Sequence, residues 1–128
     1  MRKRPEDVLA EWMLLVNKGD RERILALYDE SAVLIPTFSN RLLTNPWDIR
    51  DYFERLCSRE NLSLTLREKT LIAHSMTDDI HSLCGIYCWR FAVDGELLNF
   101  EARFSYLLNL ALPKPIVLHH SSQIPRTL

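Results

Sequence analysis

The chain has 128 residues, the size of one domain spanning 1–128, and its 47% hydrophobic and 26% charged residues suffice for one core. A formal net charge of −1 gives no basic footprint for nucleic acid, and no stretch approaches the roughly 18 apolar residues of a membrane span. Three cysteines, an odd number, argue against a disulfide framework, so reduced thiols in a cytoplasmic protein are expected. Arg2-Lys3-Arg4 reads as a solvated terminus, and Glu6, Asp7 and Glu11 interrupt what a signal peptide would need as an apolar run.

In chain order, Val8, Leu9, Trp12, Leu15 and Val16 recur at helical spacing from Pro5 to Asn17, and Gly19 fits just past the end. Asp20 caps a predicted second helix running to about Tyr28. Ala32 to Pro36 is a short strand, and Arg41 to Leu43 a possible second one. Asn45-Pro46 opens a third helix that ends near Ser58, with Ile49, Tyr52, Phe53 and Leu56 at i, i+3, i+4, i+7. Trp12 and Trp47 are expected in the core.

Everything afterward reads as sheet. Leu62, Leu64 and Leu66 alternate in a run reaching about His74. Ile80 to Val93 is a second strand, Asp94-Gly95 a hairpin turn, Leu97 to about Leu110 the return, and Ile116 to Ser122 the last strand. Three N-terminal helices followed by an antiparallel meander make an α+β fold. The helices cover one sheet face, so a partner subunit is expected on the other.

The residues Gly19-Asp20, Asp48-Ile49-Arg50-Asp51-Tyr52-Phe53, Ala102-Arg103-Phe104-Ser105-Tyr106 and His119-His120-Ser121-Ser122 with Pro125 carry a resemblance. Over nearly the whole chain it resembles the nuclear transport factor two-like (cystatin-like, SnoaL-like) superfamily. It looks most like the branch of the calcium/calmodulin-dependent protein kinase II association domain and its small bacterial relatives. The resemblance implies a cone-shaped domain, a curved sheet around a deep pocket, and oligomerisation through the outer sheet face. In that branch buried arginines take a small carboxylate, and Arg103 matches one of them. Tyr87 and Ser121 stand where other arginines would be, and Ile49 where a histidine would be.

Arg103, pointed into a closed pocket, would either pair with an internal carboxylate such as Glu101 or clamp an anionic ligand. Strand alternation sends His119 and Ser121 to one face and His120 and Ser122 to the other; the resemblance, in which Ser121 stands at a pocket arginine's position, implies that the first pair faces the pocket. Each histidine is a hydrogen-bonded structural residue or a candidate catalytic base. Tyr28 and Tyr52 could bring helix-borne hydroxyls to the pocket. His74 and His81 flank a turn and read as solvated edge residues, weak as zinc ligands. No metal and no cofactor are expected.

Three functions follow. One is an oligomer-forming domain that binds a small organic acid through Arg103, with Tyr87, His119, Ser121, Tyr28, Tyr52 and Glu101 around the site. Another is an isomerase, dehydratase or hydrolase using His119 or His120 as general base. The third is a purely structural association module. The expected partners are a second copy of the chain and, for the first two, a small molecule.

Overall fold

The computed structural model of the protein describes residues 3–128. Helix α1 spans Pro5–Lys18. Its start is fixed reciprocally: the Arg4 amide donates to the Asp7 carboxylate, and the Asp7 amide donates to the Arg4 carbonyl. Its end is Gly19 at φ +70°, which frees the Gly19 and Asp20 amides to close on the carbonyls of Val16 and Leu15. Arg2 of the basic cluster lies outside the described residues; Lys3 and Arg4 pair on the surface with Glu11 and Glu6.

Helix α2 is only Arg21–Leu25, capped by Asp20. The expected helix to Tyr28 stops early because the chain is captured by the sheet. The Ile116 amide donates to the Leu27 carbonyl, and Tyr28 opens strand β1 (Tyr28–Ile35) opposite Ile116. Tertiary pairing here overrides local helical spacing. Arg41–Leu43 contributes a single bridge, Leu34 to Leu43. Helix α3 is Pro46–Cys57, with the Asn45 side chain accepting from the Asp48 amide. Trp47 does not join the core; it is 77% exposed on the first turn of α3, whose inward positions are Ile49, Phe53 and Leu56.

The run expected from Leu62 to His74 divides into β2 (Ser63–Leu66), a 3-10 turn (Glu68–Thr70) and β3 (Ile72–Ser75). β4 (Ile80–Val93) and β5 (Glu96–Asn109) form a long hairpin whose turn residues Asp94 and Gly95 both have positive φ, as a two-residue loop of this hand requires. β6 (Ile116–Gln123) closes the chain. The curved sheet runs β1-β6-β5-β4-β2, with β3 also on β4. It is mixed rather than purely antiparallel, because β1 lies parallel to β6.

Alternation then sorts every strand. Leu83, Tyr87, Trp89 and Phe91 of β4, and Ala102, Phe104, Tyr106 and Leu108 of β5, are buried beneath the helices. Gly85 breaks the inward series for a steric reason. A Cβ there would stand 2.9 Å from Phe104 Cζ and 3.2 Å from Thr70 Oγ1, and the Phe104 ring is itself stacked on Tyr87 at 4.6 Å. Gly85→Ala is expected to cost about 1–3 kcal/mol by overpacking. Urea denaturation checks this; an unchanged midpoint would show that the Phe104 ring has slack.

Candidate functional site

The parallel pairing of β1 with β6 sets Leu34 opposite His119, and the antiparallel pairing of β5 with β6 sets Tyr106 opposite His119. His119 therefore points inward from the middle of the sheet and is buried. Tyr28 from β1 and Tyr87 from β4 reach it from either side. The Tyr28 hydroxyl lies 2.8 Å from Nδ1 and the Tyr87 hydroxyl 3.1 Å from Nε2. The imidazole also stacks on Tyr106, at 4.0 Å and 15°, and meets the edge of Trp12 at 5.1 Å.

A neutral imidazole has one N–H and one lone pair. One tyrosine hydroxyl therefore donates to the ring and the other accepts from it, which occupies both nitrogens. Burial, and to a lesser extent His120, pushes the His119 pKa down to about 3. Burial likewise raises the hydroxyls of Tyr28, Tyr87 and Tyr106, so all stay protonated. Beyond this group the Ser121 and Thr37 hydroxyls bond each other.

The interior is otherwise filled by rings. Trp12 stacks on Tyr87 at 5.8 Å and packs edge-on against Phe53, Trp89 and Tyr106. The space remaining among Trp12, Tyr52, Phe53, Tyr87, His119 and Ser121 is about 10 Å³, the size of one water rather than of an organic ligand. The buried indole N–H groups of Trp12 and Trp89 and the Tyr106 hydroxyl have no partner among the described residues.

The predicted site residues divide between two faces. Tyr28, Tyr87, His119 and Ser121 meet inside, with Tyr52 reaching them from α3. Tyr28 arrives from a strand and not from a helix. Arg103, Glu101 and His120 are not there. Arg103 is exposed on the outer sheet face, opposite Ser122 on β6 and Ile86 on β4, and has no ion pair among the described residues. The reason is parity: Ala102, Phe104 and Tyr106 take the inward positions of β5. Glu101, also outward, bonds Arg67 and not Arg103. His120 is exposed beside Ser105 and Ile35.

His74 is exposed as expected, but His81 is buried, held by Ser75 Oγ at 2.8 Å and the Asp78 carbonyl at 3.0 Å. Among the described residues no three His, Cys, Asp or Glu side chains come together as metal ligands would. No helix is long and apolar enough to cross a membrane.

Two features escaped the sequence reading. Thr37 and Phe38 lie in the loop after β1, where nothing in the local pattern marks a residue as buried. Phe38 closes the mouth of the interior, edge-on to Trp89, Phe91 and Phe100 at 5.2–5.8 Å. Arg59, just past α3, stands over the Phe91 ring at 5.6 Å.

No protein-family model and no curated protein sequence matches the chain. Solved structures do match its fold. A protein from Xanthomonas campestris, described as a calcium/calmodulin-dependent protein kinase II association domain, superposes with a TM-score of 0.83 at 23% identity, over 93% of this chain and 84% of that one. A protein from Novosphingobium aromaticivorans described as a scytalone dehydratase gives 0.80 at 8% identity, over 95% and 83%. A nuclear transport factor two-like protein with a cystatin-like fold, also from Novosphingobium aromaticivorans, gives 0.76 at 11% identity, over 94% and 80%.

Proposed function

We propose that this chain, which has the nuclear transport factor two-like fold, is a noncatalytic module that associates with copies of itself through the outer face of its sheet. The observation that carries the reading is that face. Val33, Leu118 and Leu107 form a half-buried apolar row across β1, β6 and β5; Ile35, Cys84 and Ile86 flank it among the polar His120, Ser105 and Arg103, with Ile72 66% exposed beside Cys84. The three helices lie against the opposite face. An uncovered apolar row in an α+β fold supports an association surface.

The interior supports the same reading from the other side. His119 is a poor general base near neutrality, because both its nitrogens are occupied and its proton affinity is far below the useful range. The central space is too small for a substrate. The similar protein from Xanthomonas campestris is described as an association domain, which agrees.

The test is light scattering coupled to gel filtration at micromolar concentration. The wild-type chain is expected at a multiple of its 15.0 kDa protomer mass. Leu118→Arg, which places a charge between Val33 and Leu107, is expected to give a folded monomer. A monomeric wild type, or an unchanged oligomer in the variant, counts against the outer face as the interface.

A further inference from the structure

A large cavity lies outside the filled interior. It is an open groove of about 850 Å³ between α3, the loop from Pro36 to Thr44, and Phe91 of β4, within the size range of small-molecule sites. Its floor is apolar: Phe38 and Phe91 meet edge to face at 5.2 Å, beside buried Leu43 and Leu56. Most charges on its rim are already spoken for. Arg41 pairs with Asp48 at 3.4 Å and Arg55 with Asp51 at 3.1 Å.

Two polar groups are not. Arg59 has no ion pair among the described residues, and its guanidinium is held against the floor by the Phe91 ring. The Tyr52 hydroxyl accepts from the Phe38 amide at 3.3 Å but donates its own proton to no acceptor among the described residues. Burial raises its pKa, so that proton stays on the oxygen. Tyr52 and Leu56 follow at i and i+4 on α3, and Arg59 lies two residues past its end; all three line the groove.

We propose that this groove binds a small aromatic carboxylic acid, its carboxylate on Arg59, its ring on Phe38 and Phe91, and a second oxygen at its far end accepting from Tyr52. The guanidinium fork matches a carboxylate. The apolar floor selects a ring over a polar body. The Tyr52 proton selects a ligand that carries an acceptor besides its acid group. The lining carboxylates already face cations, Asp48 meeting Arg41, Asp51 meeting Arg55, and Glu54 meeting Arg50 at 3.9 Å, which disfavours a cationic ligand.

The test is an amide NMR titration of the whole chain with 4-hydroxyphenylacetate, and with 4-hydroxyphenylacetamide as the uncharged control. The acid is expected to shift signals of Phe38, Arg59 and Phe91. The amide is expected to bind about tenfold more weakly, and Arg59→Gln to weaken the acid by a similar factor. Arg59 is exposed, and an unchanged spectrum of the variant away from the groove verifies its fold. Equal binding of acid and amide, shifts centred elsewhere, or no shift at about 10 mM acid would each overturn the proposal.

Discussion

Trp12→Ala is expected to cost about 3–5 kcal/mol. Trp12 is 1% exposed, and its ring touches five others: Tyr87, Phe53, Trp89, Tyr106 and His119. These neighbours are stiff, and several are held by hydrogen bonds or by stacking on one another. They cannot collapse into the vacated space, so the transfer loss and the cavity loss both apply. One term works the other way. The Trp12 indole N–H has no partner among the described residues, and removing an unmet buried donor recovers about 1–3 kcal/mol at most. The packing loss is larger and wins. Trp12→Phe separates the two terms, since it keeps a ring and drops the N–H; it is expected to cost clearly less than alanine. Urea denaturation measures all three proteins, with midpoints falling at constant slope. Adding indole should raise the midpoint of the alanine variant and leave the wild type unmoved, because the ligand refills a dry cavity and acts by mass action. A loss under about 1.5 kcal/mol with no response to indole would mean that α1 sinks inward and that the interior is not built around this ring.

Most of the architecture was legible because it rests on periodicity. The stripe from Val8 to Val16, the Asn45-Pro46 start and the Asp94-Gly95 turn each specify an element by local chemistry, and all three appear in the fold. What failed did so where distant segments decide. Leu27 and Tyr28 continue a helical spacing, yet Ile116 draws them into the sheet. Trp47 has an apolar side chain on an amphipathic helix but falls outside its inward stripe of Ile49, Phe53 and Leu56. Arg103 is the instructive case. The alternation of Ala102, Phe104, Tyr106 and Leu108 already assigned it to the other face, and a matching position in a similar family weighed against that alternation. A buried row of four apolar residues is worth several kcal/mol, and it outweighs any preference one arginine carries. Parity likewise separated His119 and Ser121 from His120, and the resemblance at Ser121 chose the first pair as the inward one; His119 and Ser121 are buried and His120 is exposed. The closing of the interior was not legible. It depends on Trp12, Phe38, Trp89 and Tyr106 meeting across four separate segments, which no spacing in the chain encodes.

Stability is expected to fall as pH drops from about 6.5 to 5, by about 2 kcal/mol from His119 alone. The sign follows from the two states. Unfolded, the imidazole takes a proton below its ordinary value of about 6.5. Folded, it stays neutral down to about 3, because burial disfavours the cation. Between those values the unfolded chain binds one more proton, so acid favours unfolding by about 1.4 kcal/mol per pH unit. Above about 6.5 both states are neutral, and His119 contributes no pH dependence. Carboxylates with lowered pKa values, such as Glu6, Glu22 and Asp29, add their own slopes, so the informative quantity is a difference. His119→Gln keeps one donor and one acceptor for Tyr28 and Tyr87 but cannot titrate. The variant is expected to be less stable at pH 7.5, by about 1–2 kcal/mol for imperfect hydrogen bonds and lost stacking on Tyr106. Its disadvantage should then shrink on acidification and vanish near pH 5, where the cost of keeping an imidazole neutral equals the cost of replacing it. Urea unfolding of both proteins at several pH values reads this directly. Parallel curves would mean that His119 titrates alike in both states, which requires water at the ring and a chamber more open than the 10 Å³ space between its aromatic walls.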